Sequence, residues 1–273
     1  MSLLSGLRSS VATGVFDFAR RLSGLGRARA GEITALRAQR DDAVRGQRWR
    51  DALGAQHRLA SLVPAAERAS EMEWLAVVHY ELGRAALQAR QTPQAVNHLR
   101  NSLRADRRFV PASLALGEAH DAAGDHREAV RVWERAADVA PTLPILARLE
   151  RAYRGDERPG QMITLYERAV EGAPEDLGLA VALGRVYFEL EMLDEAAEQF
   201  EKIEVRAPEL ALVHAFLGAI FERRGQTREA LDEYRRSLRL THGFEWPYRC
   251  GACGVTAPAW RDRCEACGRW NTL

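Results

Sequence analysis

Small and large side chains recur along this chain at a spacing of 33 or 34 residues. A small residue stands at Gly83, Gly117, Gly184 and Gly218, and Glu150 occupies the matching place in the middle unit. Twelve residues after each comes a position that is mostly alanine, and four residues further on comes a large one. The second positions are Ala95, Ala129, Met162, Ala196 and Ala230, and the large ones are Leu99, Trp133, Tyr166, Phe200 and Tyr234. Small residues let paired helices approach closely and a large residue fills the gap between neighbours, so the pattern predicts five antiparallel helix pairs.

Prolines mark the ends of three of these units, at Pro141, Pro174 and Pro208. Since proline cannot continue a helix, each is expected to stop the second helix of its pair. Glu150 and Met162 stand where the other units have small residues. The third unit is therefore predicted to pack less tightly at these two positions.

A sixth, degenerate unit is predicted at 33–66, with Ala52 at the small position of its second helix and Pro64 at its end. The stretch Ala65–Ser70 then reads as an insertion before the first regular unit. The alternative is a helical bundle without repeats, which the regular offsets disfavour. The predicted domains are an N-terminal amphipathic helix and flexible joint (1–31), a degenerate helical repeat (32–75), five regular repeats (76–245) and a C-terminal module (246–273).

The period and the small–large spacing resemble the tetratricopeptide repeat. That resemblance implies an all-α superhelix whose concave face binds a protein or peptide partner. By the same resemblance, the residues facing inward from the first helices include Tyr80, Arg84, Arg151, Arg154, Arg185 and Phe188. The four arginines in this set could form a basic stripe for an acidic peptide. The alternative is that they form an ordinary solvated face.

All four cysteines fall in the last 24 residues, in the spacing C-x2-C-x10-C-x2-C. Two such turns can each place two thiolates on one metal ion, which gives a tetrahedral four-sulfur site for zinc or iron. Gly254 and Gly268 directly follow the second cysteine of each turn, where a left-handed backbone conformation is expected. The clustering indicates a metal site in a reducing, cytoplasmic compartment rather than a disulfide framework. The predicted ligands are Cys250, Cys253, Cys264 and Cys267.

Repeats followed by this terminal module resemble the family of lipopolysaccharide assembly protein B (LapB). The matching residues are Tyr248, Arg249, Cys250, Cys253, Gly254, Trp260, Cys264, Cys267 and Trp270. The resemblance implies a bacterial adaptor on the cytoplasmic face of the inner membrane. In that family the protein binds the membrane protease FtsH and promotes turnover of a deacetylase of lipopolysaccharide synthesis. The family also has a transmembrane helix and more repeats, neither of which this sequence predicts, so a paralogue with another client is an alternative.

Residues 250–273 also resemble the zinc finger of the DNA repair protein RadA, which raises the alternative of nucleic-acid binding. RadA's ATPase is excluded because a P-loop needs a lysine in a glycine-rich loop, and Lys202 lies in a predicted repeat helix. Eleven acidic and three basic residues in 171–210, within a net charge of +1, also disfavour nucleic acid. A rubredoxin-like electron carrier is the other alternative. With no catalytic motif and seven histidines scattered over different repeats, the chain is predicted not to be an enzyme.

The N-terminal segment predicts an amphipathic helix, because its apolar residues fall on one side at helical spacing. Those residues are Leu3, Leu4, Leu7, Val11, Val15, Phe18, Leu22 and Leu25. Four arginines follow between Arg20 and Arg29, and the residues 23–31 read as a flexible joint. A basic amphipathic helix on a tether indicates peripheral attachment to the inner face of the membrane. The alternatives are that it caps the first repeat or binds a partner.

Overall fold

The computed structural model describes residues 28–240, 248–257 and 259–273. The apolar stripe predicted between Leu3 and Leu25 lies outside these residues. Within the described part, helices form nearly the whole chain up to residue 240, and one short two-stranded ribbon follows. None of the helices in these ranges is both long and apolar enough to cross a bilayer. The predicted all-α fold with a small terminal knuckle is confirmed.

The helices alternate in sequence with short turns. They are α1 (28–45), α2 (Trp49–Leu62), α3 (Arg68–Gln88), α4 (Thr92–Ala105), α5 (Val110–Ala122), α6 (His126–Val139), α7 (Leu143–Gly155), α8 (Pro159–Gly172), α9 (Leu177–Glu189), α10 (Leu193–Arg206), α11 (Ala211–Arg223) and α12 (Thr227–Leu240). The ribbon consists of β1 (Tyr248–Arg249) and β2 (Thr256–Ala257), paired antiparallel. The chain divides after Asp106 into two compact units, and α1–α4 lie in the first. The second holds α5–α12 and the cysteine module.

The predicted packing of small against large residues is present within the helix pairs. A Cβ atom added to Gly117 would lie 2.0 Å from Nε1 of Trp133, closer than any real contact. Only glycine therefore leaves room for the indole between α5 and α6. The other pairs built in this way are Gly83 with Leu99, Gly184 with Phe200 and Gly218 with Tyr234.

The third regular pair, α7 with α8, contradicts the expectation of looser packing. Met162 is 1% exposed and Glu150 is 9% exposed. The carboxylate of Glu150 accepts a 2.7 Å hydrogen bond from the hydroxyl of Tyr166. A polar pair therefore fills the space that glycine and an apolar ring fill in the neighbouring pairs.

The prolines stop helices as predicted. Helices α6, α8 and α10 each end two residues before Pro141, Pro174 and Pro208, respectively. Proline disfavours the α conformation in the residue before it, which accounts for this position of the helix ends.

The first unit is more regular than its sequence suggested. Ala52 is fully buried, and the predicted insertion Ala65–Ser70 forms a 3₁₀ turn and the first residues of α3. Residues 28–31, predicted to belong to a flexible joint, are instead the start of α1. A tertiary contact holds this start in place, because Nε of Arg29 donates a 2.8 Å hydrogen bond to the carbonyl oxygen of Leu62 on the neighbouring helix.

Buried polar groups also join the helices of this first unit. Glu71 is 2% exposed and accepts hydrogen bonds from Arg37 at 2.7 Å, Arg40 at 2.9 Å and the amide of Gln56 at 2.9 Å. The charge of the buried carboxylate is thereby balanced and its oxygens are satisfied.

Candidate metal centre and partner surface

The cysteine module contains the same short motif twice. In each copy an arginine precedes Cys-x-x-Cys-Gly, and its Nε donates to the carbonyl oxygen of that glycine: Arg249 to Gly254 at 3.1 Å, and Arg263 to Gly268 at 2.9 Å. The amide of each glycine donates to the first cysteine's carbonyl at 2.8 Å. Both glycines have positive φ, +75° and +70°. The left-handed conformation predicted after each second cysteine is therefore present, and it bends both knuckles toward one point.

The four sulfur atoms meet at that point. All four Sγ atoms lie within 4.8 Å of one another. Cys250 and Cys267 are 3.7 Å apart, and Cys253 and Cys264 are 3.8 Å apart. Four thiolates at about 2.3 Å from a tetrahedral ion would be about 3.8 Å apart. The spacing therefore fits one ion, and a four-sulfur set suits either zinc or iron.

The C-terminal residues support one side of this site. The hydroxyl of Thr272 lies 3.2 Å from Sγ of Cys250, and this contact, together with hydrogen bonds from the backbone of Ala252 and Cys253, lowers the pKa of the thiol to about 6. The amide of Gly251 donates to the carbonyl oxygen of Thr272 at 2.7 Å. A partner that orients a ligand is a usual component of metal sites. Thr272 was not recognised from the sequence, because a threonine outside the cysteine motif carries no signal of its own.

The module is also connected to helical parts of its own unit. The side-chain amide of Asn271 donates a 3.4 Å hydrogen bond to the carbonyl oxygen of Arg108, just before α5. Within the module, the guanidinium of Arg263 lies 5.5 Å from the ring centre of Trp270.

The candidate partner-binding residues differ in how much of their surface a partner could reach. In the first unit, Tyr80 is 6% exposed, and the guanidinium of Arg84 lies 5.8 Å from its ring and 3.4 Å from Glu81. In the second unit, Arg223 lies over the ring of Phe188 at 3.9 Å and also donates to its carbonyl oxygen. Tyr80 and Phe188 therefore contribute mainly to packing.

Arg154 and Arg185 take part in one ion-pair cluster with two carboxylates. Arg185 donates to Glu150 at 2.6 Å and to Glu189 at 2.8 Å. Arg154 donates to Glu150 at 3.0 Å and also contacts Glu189. Burial alone would raise the pKa of Glu150, but hydrogen bonds from Arg185 and Tyr166 hold it below its usual value. Much of the charge of these two arginines is therefore neutralised inside the protein.

Arg151 has a different environment from the other three arginines. It is exposed and lines a groove of about 1130 Å³ formed by α5, α6 and α7. Arg127 lines the same groove. Among the described residues, neither guanidinium has an ion-pair or hydrogen-bond partner. Arg127 was missed in the sequence because it belongs to a second helix, whereas the repeat pattern directed attention to first helices.

Most other charges of this groove are paired. Arg148 donates to Glu118 at 2.9 Å, Arg158 lies 3.7 Å from Asp156, and His126 contacts Asp121. Glu134 accepts a 2.9 Å hydrogen bond from the hydroxyl of Tyr153, and Asp125 lies 3.7 Å from His120. The lining holds five arginines and five carboxylates, so the groove is close to neutral overall, and Arg127 and Arg151 are its arginines without a partner among the described residues.

Residues 248–273 match the family model of the LapB zinc ribbon, described as a rubredoxin metal binding domain. The match contains all four cysteines together with Thr272. It covers the terminal module and none of the helix pairs.

Several solved structures are similar to the helical part. A MamA crystal structure is 19% identical, covers 61% of this chain and 91% of its own, and has a TM-score of 0.45. MamA from Desulfovibrio magneticus RS-1 is 20% identical, with coverages of 61% and 94% and a TM-score of 0.43. YrrB, described as a TPR protein with an unusual peptide-binding site, is 19% identical, with coverages of 65% and 93% and a TM-score of 0.43. The repeat assignment rests on the helix pairs of the chain itself. With the terminal match, these pairs confirm the resemblance seen in the sequence: the chain is similar to LapB in joining tetratricopeptide-like repeats to a C-terminal rubredoxin-like metal module.

Proposed function

We propose that this protein is a non-enzymatic adaptor that captures a protein partner on its helical repeats. The observation that carries the proposal is the groove between α5, α6 and α7, which is large enough for a peptide segment. Repeat proteins of this kind use such surfaces for binding, because stacked helix pairs present a long row of side chains.

We infer that the partner segment is acidic and places carboxylates against the two unpaired arginines of the groove. Arg127 and Arg151 are both exposed there, and the ion pairs around them leave their guanidinium groups available. Arginine is well suited to carboxylates because its planar group can donate two parallel hydrogen bonds. This assigns the basic surface to Arg127 and Arg151 rather than to the ion-paired Arg154 and Arg185.

The likeness of the module to the LapB zinc ribbon supports a more specific role. We propose that the partner is a membrane protease of the FtsH type and that the complex regulates lipopolysaccharide synthesis. The protein would then act in the cytoplasm, attached peripherally to the inner face of the inner membrane. The metal ion in the module, zinc or iron, would have a structural role.

The test is affinity capture of the full-length protein from membranes of the native host, followed by mass spectrometry and by blotting for the FtsH-type protease. Wild-type protein should capture the protease. The double variant Arg127→Glu, Arg151→Glu should capture much less, because both available charges are reversed. Arg228→Glu on α12 is the matched control, since it is also an exposed arginine without a partner among the described residues.

Equal capture by wild type and double variant would exclude the groove as the binding surface. Absence of the protease from every capture, with another protein enriched, would retain the adaptor and exclude the proposed partner. Circular dichroism of the double variant confirms that lost capture does not reflect unfolding.

A further inference from the structure

Three histidines that are far apart in the sequence meet in the first unit. His57 lies on α2, His79 on α3 and His98 on α4. Nδ1 of His79 is 3.2 Å from Nδ1 of His98, and their ring centres are 5.5 Å apart. The ring of His57 is centred 6.0 Å from that of His79. The structure therefore groups three imidazoles that the sequence placed in separate helices.

The last helix pair has a contact between a histidine and a carboxylate at the corresponding positions of the repeat. His214 and Glu233 occupy the same places in the repeat as His79 and His98, four residues before the small residue and one before the large one. There Nδ1 of His214 pairs with the carboxylate at 2.7 Å, and Nε2 lies 2.9 Å from the carbonyl oxygen of Pro208. In the first unit a second imidazole replaces the carboxylate, so two ring nitrogens face each other.

The distance between those nitrogens matches shared coordination of a metal ion. Two imidazole nitrogens at about 2.0–2.1 Å from a tetrahedral ion are about 3.3 Å apart. The observed 3.2 Å is close to that value; it is also a hydrogen-bond distance, so the rings must turn for both nitrogens to face one ion. His57 is exposed on the adjacent helix, with its ring centred 6.0 Å from that of His79, and would supply the third nitrogen.

We propose that His57, His79 and His98 form a second metal site, which binds a divalent ion that favours imidazole ligands, such as zinc, nickel or copper. The bound ion would join α2, α3 and α4. This site is separate from the four cysteines and does not depend on the proposed adaptor function.

The surroundings of His79 and His98 disfavour the charged form of each imidazole. Burial, together with the neighbouring His98 and His57, lowers the pKa of His79 to about 4. Burial and the charge of Arg50 lower the pKa of His98. Arg50 opposes a cation, but it is exposed, so solvent and salt screen its charge.

The experiment uses untagged full-length protein whose cysteine site has first been filled with zinc. Equilibrium dialysis against nickel ions at pH 7.5 should show one nickel bound per chain in addition to the zinc. His98→Gln should abolish this binding, and His57→Gln should weaken it. His126→Gln, at an exposed histidine of α6 outside the cluster, should bind nickel like the wild type.

A wild-type protein that binds no nickel, or a His98→Gln variant that binds it unchanged, would overturn the proposal. Since His57 is exposed and His98 only half-buried, their replacement should leave the fold intact, and circular dichroism checks this. Nickel should also raise the thermal unfolding temperature of the wild type but not that of His98→Gln, because binding to the folded state stabilises it.

Discussion

Glu150 and Tyr166 form a hydrogen-bonded pair across α7 and α8, with the tyrosine hydroxyl 2.7 Å from the carboxylate. In the neighbouring pairs the same two positions hold a glycine against a large side chain, for example Gly184 against Phe200. The carboxylate of Glu150 is tolerated at this buried position because it forms ion pairs with Arg185 and Arg154. A charged residue therefore replaces glycine here together with the groups that compensate for its burial.

We expect Glu150→Ala to reduce the free energy of unfolding by about 1–3 kcal/mol, since it leaves the buried hydroxyl of Tyr166 without its acceptor, while Arg185 and Arg154 keep Glu189 as a partner. Tyr166→Phe should cost about 1.5–3 kcal/mol, the range for a hydrogen bond to a charged group. Urea unfolding followed by circular dichroism measures both. Tyr234→Phe is the matched control, because its hydroxyl bonds to the exposed Glu222 and should contribute less. Equal losses for the two tyrosine variants would contradict the role given to Glu150.

Purified protein with its cysteine site intact should contain about one zinc or iron ion per chain in that site, as measured by elemental analysis. Cys264→Ser should lose this ion and loosen the module, while the helical signal is retained because repeats contact mainly their neighbours. Thr272→Val keeps all four ligands and removes the hydroxyl that contacts Cys250 and donates to the carbonyl oxygen of Arg269, so it should weaken metal binding by about 10–100-fold. A Cys264→Ser variant with full metal content would contradict the four-sulfur site.

Stability should depend on pH through His79. In the unfolded chain this histidine takes up a proton near pH 6.5, whereas in the folded protein its pKa is about 4. The stabilisation is therefore complete above pH 6.5 and is lost as the pH falls toward 4, by up to about 3 kcal/mol. Urea unfolding at several pH values, in buffer free of divalent ions, measures this loss.

His79→Gln is the control for this measurement, because glutamine does not titrate. Carboxylates elsewhere affect wild type and variant alike, so the difference between the two curves reports His79 together with its effect on the adjacent His98. Parallel curves between pH 6.5 and 4 would show that His79 binds its proton as readily in the folded protein as in the unfolded chain.

The N-terminal segment is predicted to bind anionic membranes. Its apolar stripe can enter the interface while the following arginines approach the headgroups, each contributing about 1 kcal/mol. Arg29 already donates to the carbonyl oxygen of Leu62, which leaves Arg20, Arg21 and Arg27 for this role. Full-length protein should sediment with phosphatidylserine vesicles at low salt, and deletion of residues 1–25 should prevent it. If full-length protein stays in the supernatant, the segment has another role, such as binding a partner.

The sequence alone determined the repeat architecture and the metal ligands of this protein. Helix pairs repeat their contacts at a constant interval along the chain. The spacing of residues in the sequence therefore predicts the contact of Gly117 with Trp133, and it predicts that helices end before Pro141, Pro174 and Pro208. The cysteine site is equally local, since each ligand pair lies within one turn. Gly254 and Gly268, which follow the second cysteine of each pair, adopt the left-handed conformation that the sequence predicts.

Tertiary structure decided which polar groups are available and which are already paired. Arg151 and Arg185 have the same character in the sequence, but Arg185 meets a carboxylate 35 residues away whereas Arg151 remains exposed. His79 and His98 likewise become neighbours only when α3 packs against α4. Charge pairing and imidazole clustering depend on side-chain positions across helices, because electrostatic interactions act over a few ångströms in space regardless of separation along the chain.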